Sequence, residues 1–198
     1  MTTSDQVTIK GFNAADGRDE FIHSSQNFAG NIDPNQYWLH RGRSFSFSSV
    51  SSVAAGASVS ALIRVSSASK PVHLQSIHVD MGGQCEYAMY ENPYINVNSI
   101  GTGFVPYNMN RTSSYTNPSS FYDSPYFNAS SAGTRLDWES SVESSSGNVR
   151  ATSNFIGSSA IEWILAPGKD YLMRFTNKTA ESHLYSGVFV FYEPDVNL

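Results

Sequence analysis

Apolar and hydroxyl side chains alternate along two neighbouring stretches of the chain, and this period of two constrains the fold more than any other feature of the sequence. Two phenylalanines alternate with serines between Ser44 and Ser48, and every second residue from Val59 to Val65 is apolar. Successive side chains of a strand point to opposite faces, so both stretches predict strands with one buried face. A serine-rich linker is the alternative, but a linker would not keep its apolar residues in phase.

Further segments bounded by Gly, Pro or Asn are also typical of strands. They are Val72 to Met81, Glu86 to Glu91, Ile161 to Leu165, Tyr171 to Phe175 and Val188 to Tyr192. In the first, the apolar parity changes between Leu74 and Ile77, which predicts a bulge near Gln75 and Ser76. The stretch LAPGKDY, residues 165–171, predicts a tight turn between antiparallel strands.

These patterns together predict an all-β fold, an antiparallel β-sandwich with the jelly roll as its favoured form. Only 15% of the 198 residues are charged and 13% are aromatic, which suits short strands with hydroxyl-rich outer faces. No segment shows a sustained helical period with caps. The polar region from Tyr115 to Phe155 indicates long loops, with a mobile one at Glu139 to Asn148. We expect one sandwich domain at residues 35–198.

Residues 1–34 lack a regular pattern and predict an extended N-terminal arm or a partly disordered terminus. Glycines interrupt this segment between isolated aromatic residues at Phe12, Phe21 and Phe28. We expect these three aromatic residues to be the anchors through which the arm contacts a partner and folds on docking.

Charge and cysteine content exclude several classes of partner and site. The net charge is −5 and the only basic cluster is the short stretch at residues 40–43, so we expect no nucleic-acid partner. The N-terminal residues do not resemble a signal peptide, and no apolar run is long enough to span a membrane; synthesis in the cytosol is expected. Cys85 is the only cysteine, which favours a small buried strand residue. The sequons at Asn110, Asn128 and Asn177 are attributed to a composition rich in Ser and Asn.

The sequence predicts no catalytic residue, no cofactor and no metal site, and we expect that the protein is not an enzyme. His73 and His78 would share a metal only if the bulge turned them to one face, and a third ligand is missing. Glu139 and Glu143 are the carboxylates considered for a glycosidase pair, but acidic residues in a serine-rich loop usually serve solubility. An enzyme of cupin-like fold remains the alternative, and it requires a metal held by histidines on strands.

Aromatic residues are dense in the middle of the chain and would suit a sugar-binding platform, because their faces stack on pyranose rings. They are Tyr87, Tyr90, Tyr94, Tyr107, Tyr115, Tyr122, Tyr126 and Trp138. A covering of the sandwich ends, or a subunit interface, is the alternative.

The stretch GFVPYNMNRTSS, residues 103–114, is the richest local cluster of polar side chains. Asn108 and Asn110 favour turns and bond to nearby backbone, and Arg111 offers five donors in a fixed fork. We expect this set to pin a long loop across one end of the sandwich, with Arg111 bridging to the carboxylate of Glu91 or Glu193.

Six short motifs in order resemble a family of tailed-phage virion proteins, described as head decoration or minor structural proteins. The pattern is a strand ending in Tyr-Glu, a Gly-Thr step before Asn-x-Asn-Arg, a second Gly-Thr, Leu-x-Pro-Gly-x-x-Tyr, Thr-Asn and a closing Tyr-Glu strand. It covers roughly residues 57–193, and each motif is short. The matching residues are Tyr90, Glu91, Asn108, Asn110, Arg111, Thr176, Asn177, Tyr192 and Glu193.

The resemblance implies a jelly-roll-like sandwich that assembles on a phage particle. We therefore expect a capsid decoration or cement protein, a small homo-oligomer (trimer or dimer), that binds the major capsid protein on the surface of the virion. The alternative is a module on the head or tail that binds a carbohydrate or receptor, with a host-surface glycan as its partner. The matching residues are expected to be architectural.

Overall fold

The structure, a computed structural model, describes residues 9–13, 18–22, 34–68, 70–96, 100–123, 133–140, 151–156 and 162–194. Nearly all of these residues lie in strands or in the turns between them. The elements are β1 (Ile9–Asn13), β2 (Arg18–Ile22), α1 (Pro34–His40), β3 (Ser44–Val53), β4 (Ser58–Arg64), β5 (Val72–Met81), β6 (Cys85–Glu91), β7 (Thr102–Phe104), β8 (Tyr107–Asn108), β9 (Ser120–Asp123), β10 (Thr134–Ser140), β11 (Ala151–Ile156), β12 (Trp163–Leu165), β13 (Asp170–Asn177) and β14 (His183–Tyr192).

Two antiparallel sheets form a sandwich. Sheet I has the strand order β11-β5-β14-β3-β8, with β12 also paired to β5, and sheet II has the order β10-β6-β13-β4-β9-β7. The pairing of the long strands is nested: β3 pairs with β14, β4 with β13, β5 with β11 and β6 with β10. This nested winding of a hairpin ribbon is the jelly roll, so the predicted fold class is confirmed.

The core lies between the two sheets and is dominated by phenylalanine rings. Phe47 of β3 stacks on Phe189 of β14 with ring centroids 4.3 Å apart. Phe121 of sheet II stacks on Phe191 of sheet I at 4.9 Å, and so joins the two layers. Such ring pairs add about 0.5–1.5 kcal/mol each beyond the burial of their apolar area. The predicted period of two is what turns these residues inward while the intervening serines face out.

The predicted bulge in β5 is confirmed. Val190 of β14 pairs with Ser76 and the next residue, Phe191, pairs with Leu74, so Gln75 is the extra residue. The bulge restores the parity, and both Leu74 and Ile77 are fully buried. A turn also forms at residues 165–171, with Gly168 at a φ of 74° and its N–H donating to the carbonyl oxygen of Val65 at 3.0 Å. It connects β12 of sheet I to β13 of sheet II, whereas a turn between two paired antiparallel strands was predicted.

Several elements were not predicted, among them α1, β9, β10 and β11. The seven-residue helix α1 is too short to show a helical period, and it is fixed by Trp38, which stacks on Tyr192 at 5.8 Å. Strands β10 and β11 fall in the polar region that was predicted to be loop; Glu139 belongs to β10, while residues 141–150 and Glu143 lie outside the described residues. Both are outermost strands in the order of their sheets, where polar residues are common.

The predicted N-terminal arm contains a two-stranded antiparallel sheet in which Ile9 pairs with Ile22. Phe12 lies on β1 and Phe21 on β2, whereas Phe28 lies outside the described residues. The role of these three residues as partner anchors stays a prediction. In the part of the chain that the structure describes, no helix has the length and apolar character to cross a membrane.

A prediction follows for the two faces of β14. Replacing the buried Phe189 by alanine removes a stacked ring from the core, and we expect the free energy of unfolding to fall by about 3–5 kcal/mol. The neighbouring Val188 faces outward, so Val188→Ala should cost less than about 1 kcal/mol. Denaturant titration of both variants measures the difference, and equal losses would contradict the inward orientation of Phe189.

Candidate functional site

The strand ends that carry the predicted polar residues meet at one end of the sandwich, called here the basal end. It contains the start of β3, the end of β14, the end of β6 and the turn before β13, because the register pairs Ser44 with Tyr192 and Glu91 with Tyr171. Glu91, Asn108, Asn110, Arg111 and Glu193 all lie there. The fold thus gathers residues that are up to a hundred positions apart in the sequence.

Asn108 fastens the loop to the sheet. Its amide nitrogen donates to the carbonyl oxygens of Gly42 at 2.8 Å and Tyr115 at 3.1 Å, and its amide oxygen accepts the N–H of Asn110 at 2.9 Å. The backbone continues the attachment, since the N–H of Met109 donates to the carbonyl oxygen of Ser44 at 2.9 Å. The loop is therefore held against the start of β3.

Asn110 adds a second attachment through a local turn. Its amide nitrogen donates to the carbonyl oxygen of His40 at 3.0 Å, at the end of α1. Its amide oxygen accepts both the N–H and the hydroxyl of Thr112, at 3.1 Å and 2.7 Å. This is the Asx-turn chemistry expected of asparagine.

The predicted partnership of Arg111 with a carboxylate is wrong. The guanidinium is exposed and donates instead to the carbonyl oxygen of Asn108, at 3.5 Å, the long limit of a hydrogen bond. Both candidate carboxylates are engaged by other donors that the fold brings closer. Arg111 therefore adds little to the attachment of the loop.

Glu193 is buried at the basal end and accepts hydrogen bonds from several segments. Its donors are the hydroxyl of Tyr115, the amide of Asn117 at 3.4 Å and the N–H of Lys70 at 3.2 Å. Arg43 lies over the ring of Tyr115, 3.6 Å from its centroid. Burial, together with the hydrogen bond to Glu193, raises the pKa of the Tyr115 phenol, so this residue stays a neutral donor.

Glu91 closes the other side of the basal end. Its carboxylate accepts hydrogen bonds from Nζ of Lys169 at 2.6 Å and from the hydroxyl of Tyr171 at 3.0 Å. The hydrogen bond from Lys169 lowers the pKa of Glu91, while burial and the contact with Glu91 raise the pKa of Tyr171 to about 12. Gly133, at a φ of 84°, passes so close to the backbone of Glu91 that a side chain would collide there.

His73 and His78 do not form a metal site. The bulge places both on the outer face of sheet I, beside Tyr192 and Val188, but these positions are about 13 Å apart along the strand. His73 is buried and its Nδ1 lies 2.8 Å from Glu162, which also accepts the hydroxyl of Tyr192. Among the described residues, no three His, Cys, Asp or Glu side chains are grouped to hold a metal ion.

Asn177 fastens the opposite end of the sandwich, a role that the sequence pattern did not reveal. Its side chain is fully buried and donates to the carbonyl oxygens of Val53, Ala54 and Glu181 at 3.1, 3.2 and 2.7 Å. Its amide oxygen accepts the N–H and hydroxyl of Thr179 at 2.9 and 2.7 Å. Asn177 and Asn110 thus build the same turn, and the Asn-x-Thr spacing was the available signal.

The predicted aromatic platform does not form as one surface. Tyr87 is fully buried between the sheets, Tyr90 is buried in a small cluster on the outside of sheet II, and Tyr115 and Tyr122 are partly buried. Tyr94, Tyr107 and Trp138 are exposed but belong to different parts of the fold, and Tyr126 lies outside the described residues. Burial also raises the pKa of the Cys85 thiol to about 12, as suits the predicted buried strand residue.

The outer faces of the two sheets differ. On sheet II, Leu62 and Leu172 are fully buried beneath Ile95 and Ile100 of the loop that follows β6. On sheet I, the described residues leave an apolar strip uncovered: Val50, Leu184 and Val188 are 61%, 60% and 38% exposed. Val50 pairs with Ser186 and so lies diagonally between the other two side chains. This strip and its flanking serines, Ser48, Ser52 and Ser186, are called here the open face.

The open face is the best candidate for contact with another protein. It combines apolar side chains with serine hydroxyls, and on the β5 side it is bordered by His78 and Asp80, which pair with Val188 and Ser186. Comparison of the chain with protein-family models and with curated protein sequences gave no match.

The loop attachment yields a prediction at Asn108. We expect Asn108→Ala to lower the free energy of unfolding by about 1–3 kcal/mol, because two carbonyl oxygens lose their donor. Arg111→Ala, three residues away, should change it by less than about 0.5 kcal/mol because the guanidinium is exposed. Thermal unfolding of both variants tests the assignment, and a larger loss for Arg111→Ala would reverse it.

A second prediction concerns acid. The lowered pKa of Glu91 means that its contacts stabilise the folded state above the ordinary carboxyl value of 4.5, and that this stability is lost as the pH falls through the lower, folded value. We expect Glu91→Gln to reduce the free energy of unfolding at pH 7 by about 0.5–1 kcal/mol, since the pair is partly exposed. The gap should narrow as the pH falls below the ordinary carboxyl value of 4.5 and Glu91 becomes protonated; a gap that does not change with pH would contradict the assignment.

Proposed function

We propose that the protein is a structural component of a tailed-phage particle, a decoration or cement protein that binds the assembled head. The open face is the observation that carries the proposal. An exposed sheet surface of apolar and hydroxyl side chains suits broad contact with a protein lattice rather than capture of a small molecule. The partner is the major capsid protein, and the site of action is the surface of the virion.

The motif resemblance supports the same function from a different direction. Five residues of the motif pattern hold loops and strand ends together through the bonds described above. They are Glu91, Asn108, Asn110, Asn177 and Glu193. Their work is architectural, as the resemblance implies for that family. A sandwich fastened in this way at both ends would present one rigid face repeatedly across a lattice, where many weak contacts add up through effective concentration.

Binding to heads tests the proposal. Heads of the encoding phage that lack this protein are mixed with the purified chain, and bound protein is measured by co-sedimentation. We expect Val188→Lys to weaken binding at least about tenfold, because a lysine within the contact buries a charge, and about 1.4 kcal/mol suffices for that factor.

Tyr94→Lys is the matched control, since it makes the same kind of change at an exposed residue away from the open face. It should bind as the native chain does. A native chain that does not bind heads would overturn the proposed function. Equal binding by the native chain and Val188→Lys would remove the open face as the contact.

A further inference from the structure

Among the described residues, one edge of sheet I is left largely unpaired next to the open face. All ten residues of β3 pair with β14, but on its other side β3 pairs with β8 at Phe45 and Ser46 alone. From Phe47 to Val53 no described strand covers this edge. Successive residues of a strand direct their backbone N–H and C=O groups to opposite sides within the sheet. Because Ser44 bonds to Met109 on the β8 side, Ser48, Val50 and Ser52 direct these groups to the same side, towards the uncovered edge.

This edge carries none of the features that normally prevent strands of different molecules from pairing. Natural edge strands are blunted by charges, prolines or bulges. Between Ser44 and Ile63 the sequence contains neither a charged residue nor a proline, and the ladder of β3 with β14 runs without a bulge from Ser44 to Val53. An edge with unpaired backbone groups and none of these protecting features is suited to pairing with another strand.

Exposed apolar side chains gather around the same edge. Val50 lies at its centre, and Val105 and Tyr107 lie where the chain crosses from β7 to β8 at its lower end. Val105 and Tyr107 are 78% and 68% exposed, and with Val50 they are three of the four most exposed large apolar side chains among the described residues. Water contact at these positions is costly, so a partner that covers the edge gains apolar area as well as hydrogen bonds.

We propose that the partner is a second copy of the chain, whose β3 pairs antiparallel with this β3 about a two-fold axis at Val50. Residues 48–52 read Ser-Ser-Val-Ser-Ser in both directions. Antiparallel pairing centred on Val50 therefore sets valine against valine and serine against serine, with no charge facing a like charge. Ser48 pairs with Ser52 of the second copy, and the three outward-facing residues of each copy form about six backbone hydrogen bonds.

The pairing makes one continuous sheet from the two copies of sheet I. At each end of the new ladder, Val105 and Tyr107 of one copy meet the turn that follows Val53 in the other. The open faces of the two copies then lie side by side in one surface. The inference rests on the edge alone and does not depend on the proposed role in a phage particle.

Sedimentation velocity of the full chain over a concentration series tests the pairing. We expect the native chain to form a dimer, and Val50→Pro to raise the dissociation constant at least about tenfold, because proline removes an edge N–H that the folded monomer leaves in solvent. Circular dichroism checks that the variant folds. A native chain that stays monomeric at about 100 μM, a concentration at which even weak specific association is seen, would overturn the proposal.

Charge pairs at the two-fold axis give a second test that does not depend on proline. Val50→Lys and Val50→Glu should each be monomeric, because each sets like charges against each other, and a one-to-one mixture should recover the dimer. Val188→Lys is the matched control: it adds the same charge to the neighbouring strand, away from the edge, and should remain dimeric. Dimers of Val50→Lys alone, or a mixture that stays monomeric, would overturn the pairing. Loss of head binding by Val188→Lys without loss of the dimer separates this inference from the proposed function.

Discussion

The ladder between β3 and β14 is the interaction on which the rest of the structure depends. Ten residues of each strand pair without interruption, and this register turns Phe45, Phe47, Phe189 and Phe191 inward. The same register sets Val50 and Leu184 outward and brings Glu193 to the basal end beside Arg43, whose carbonyl oxygen accepts its N–H at 3.0 Å. A slip of one residue would exchange the two faces, so core, open face and basal end are specified together.

The two ends of the sandwich are fastened by different means. At the basal end, two carboxylates collect donors from distant segments, among them the phenols of Tyr115 and Tyr171, whose pKa values are raised by burial and by these contacts. At the opposite end a single buried amide, that of Asn177, holds three carbonyl oxygens. Ordering these loops costs backbone entropy, and their hydrogen bonds to the strand ends offset that cost, so the sandwich presents its faces rigidly.

Much of the fold could be predicted because its signals are local. The alternation around Phe45, the parity change at Gln75 and the turn at Gly168 each depend on a few neighbouring residues. The turn at Asn110 was likewise predictable, since an asparagine bonds to the backbone beside it. The predicted bridge from Arg111 failed for the opposite reason. Which carboxylate is free depends on Lys169 and Tyr115, and only the tertiary fold decides where those side chains reach.

Other features could not be predicted because their amino-acid composition does not distinguish them from loops. Strands β10 and β11 end their sheets in the strand order and carry polar residues that resemble those of a loop, and α1 has two turns, too few for a period to show. Trp38 explains why that helix forms at all: its ring packs on Tyr192, so packing rather than helix propensity fixes it. The open face was concealed too, because alternating serines and valines predict a strand without telling which face remains uncovered.

Nested pairing also has a consequence for the synthesis of this protein. β3 is made well before β14, its partner along the full length, because more than a hundred residues separate the two strands in the sequence. Until β14 is made, a charge-free, proline-free strand therefore lacks its partner, and such segments pair readily with one another. Translation rate and chaperone supply, rather than the stability of the finished sandwich, would then set the yield of folded chains in the cell.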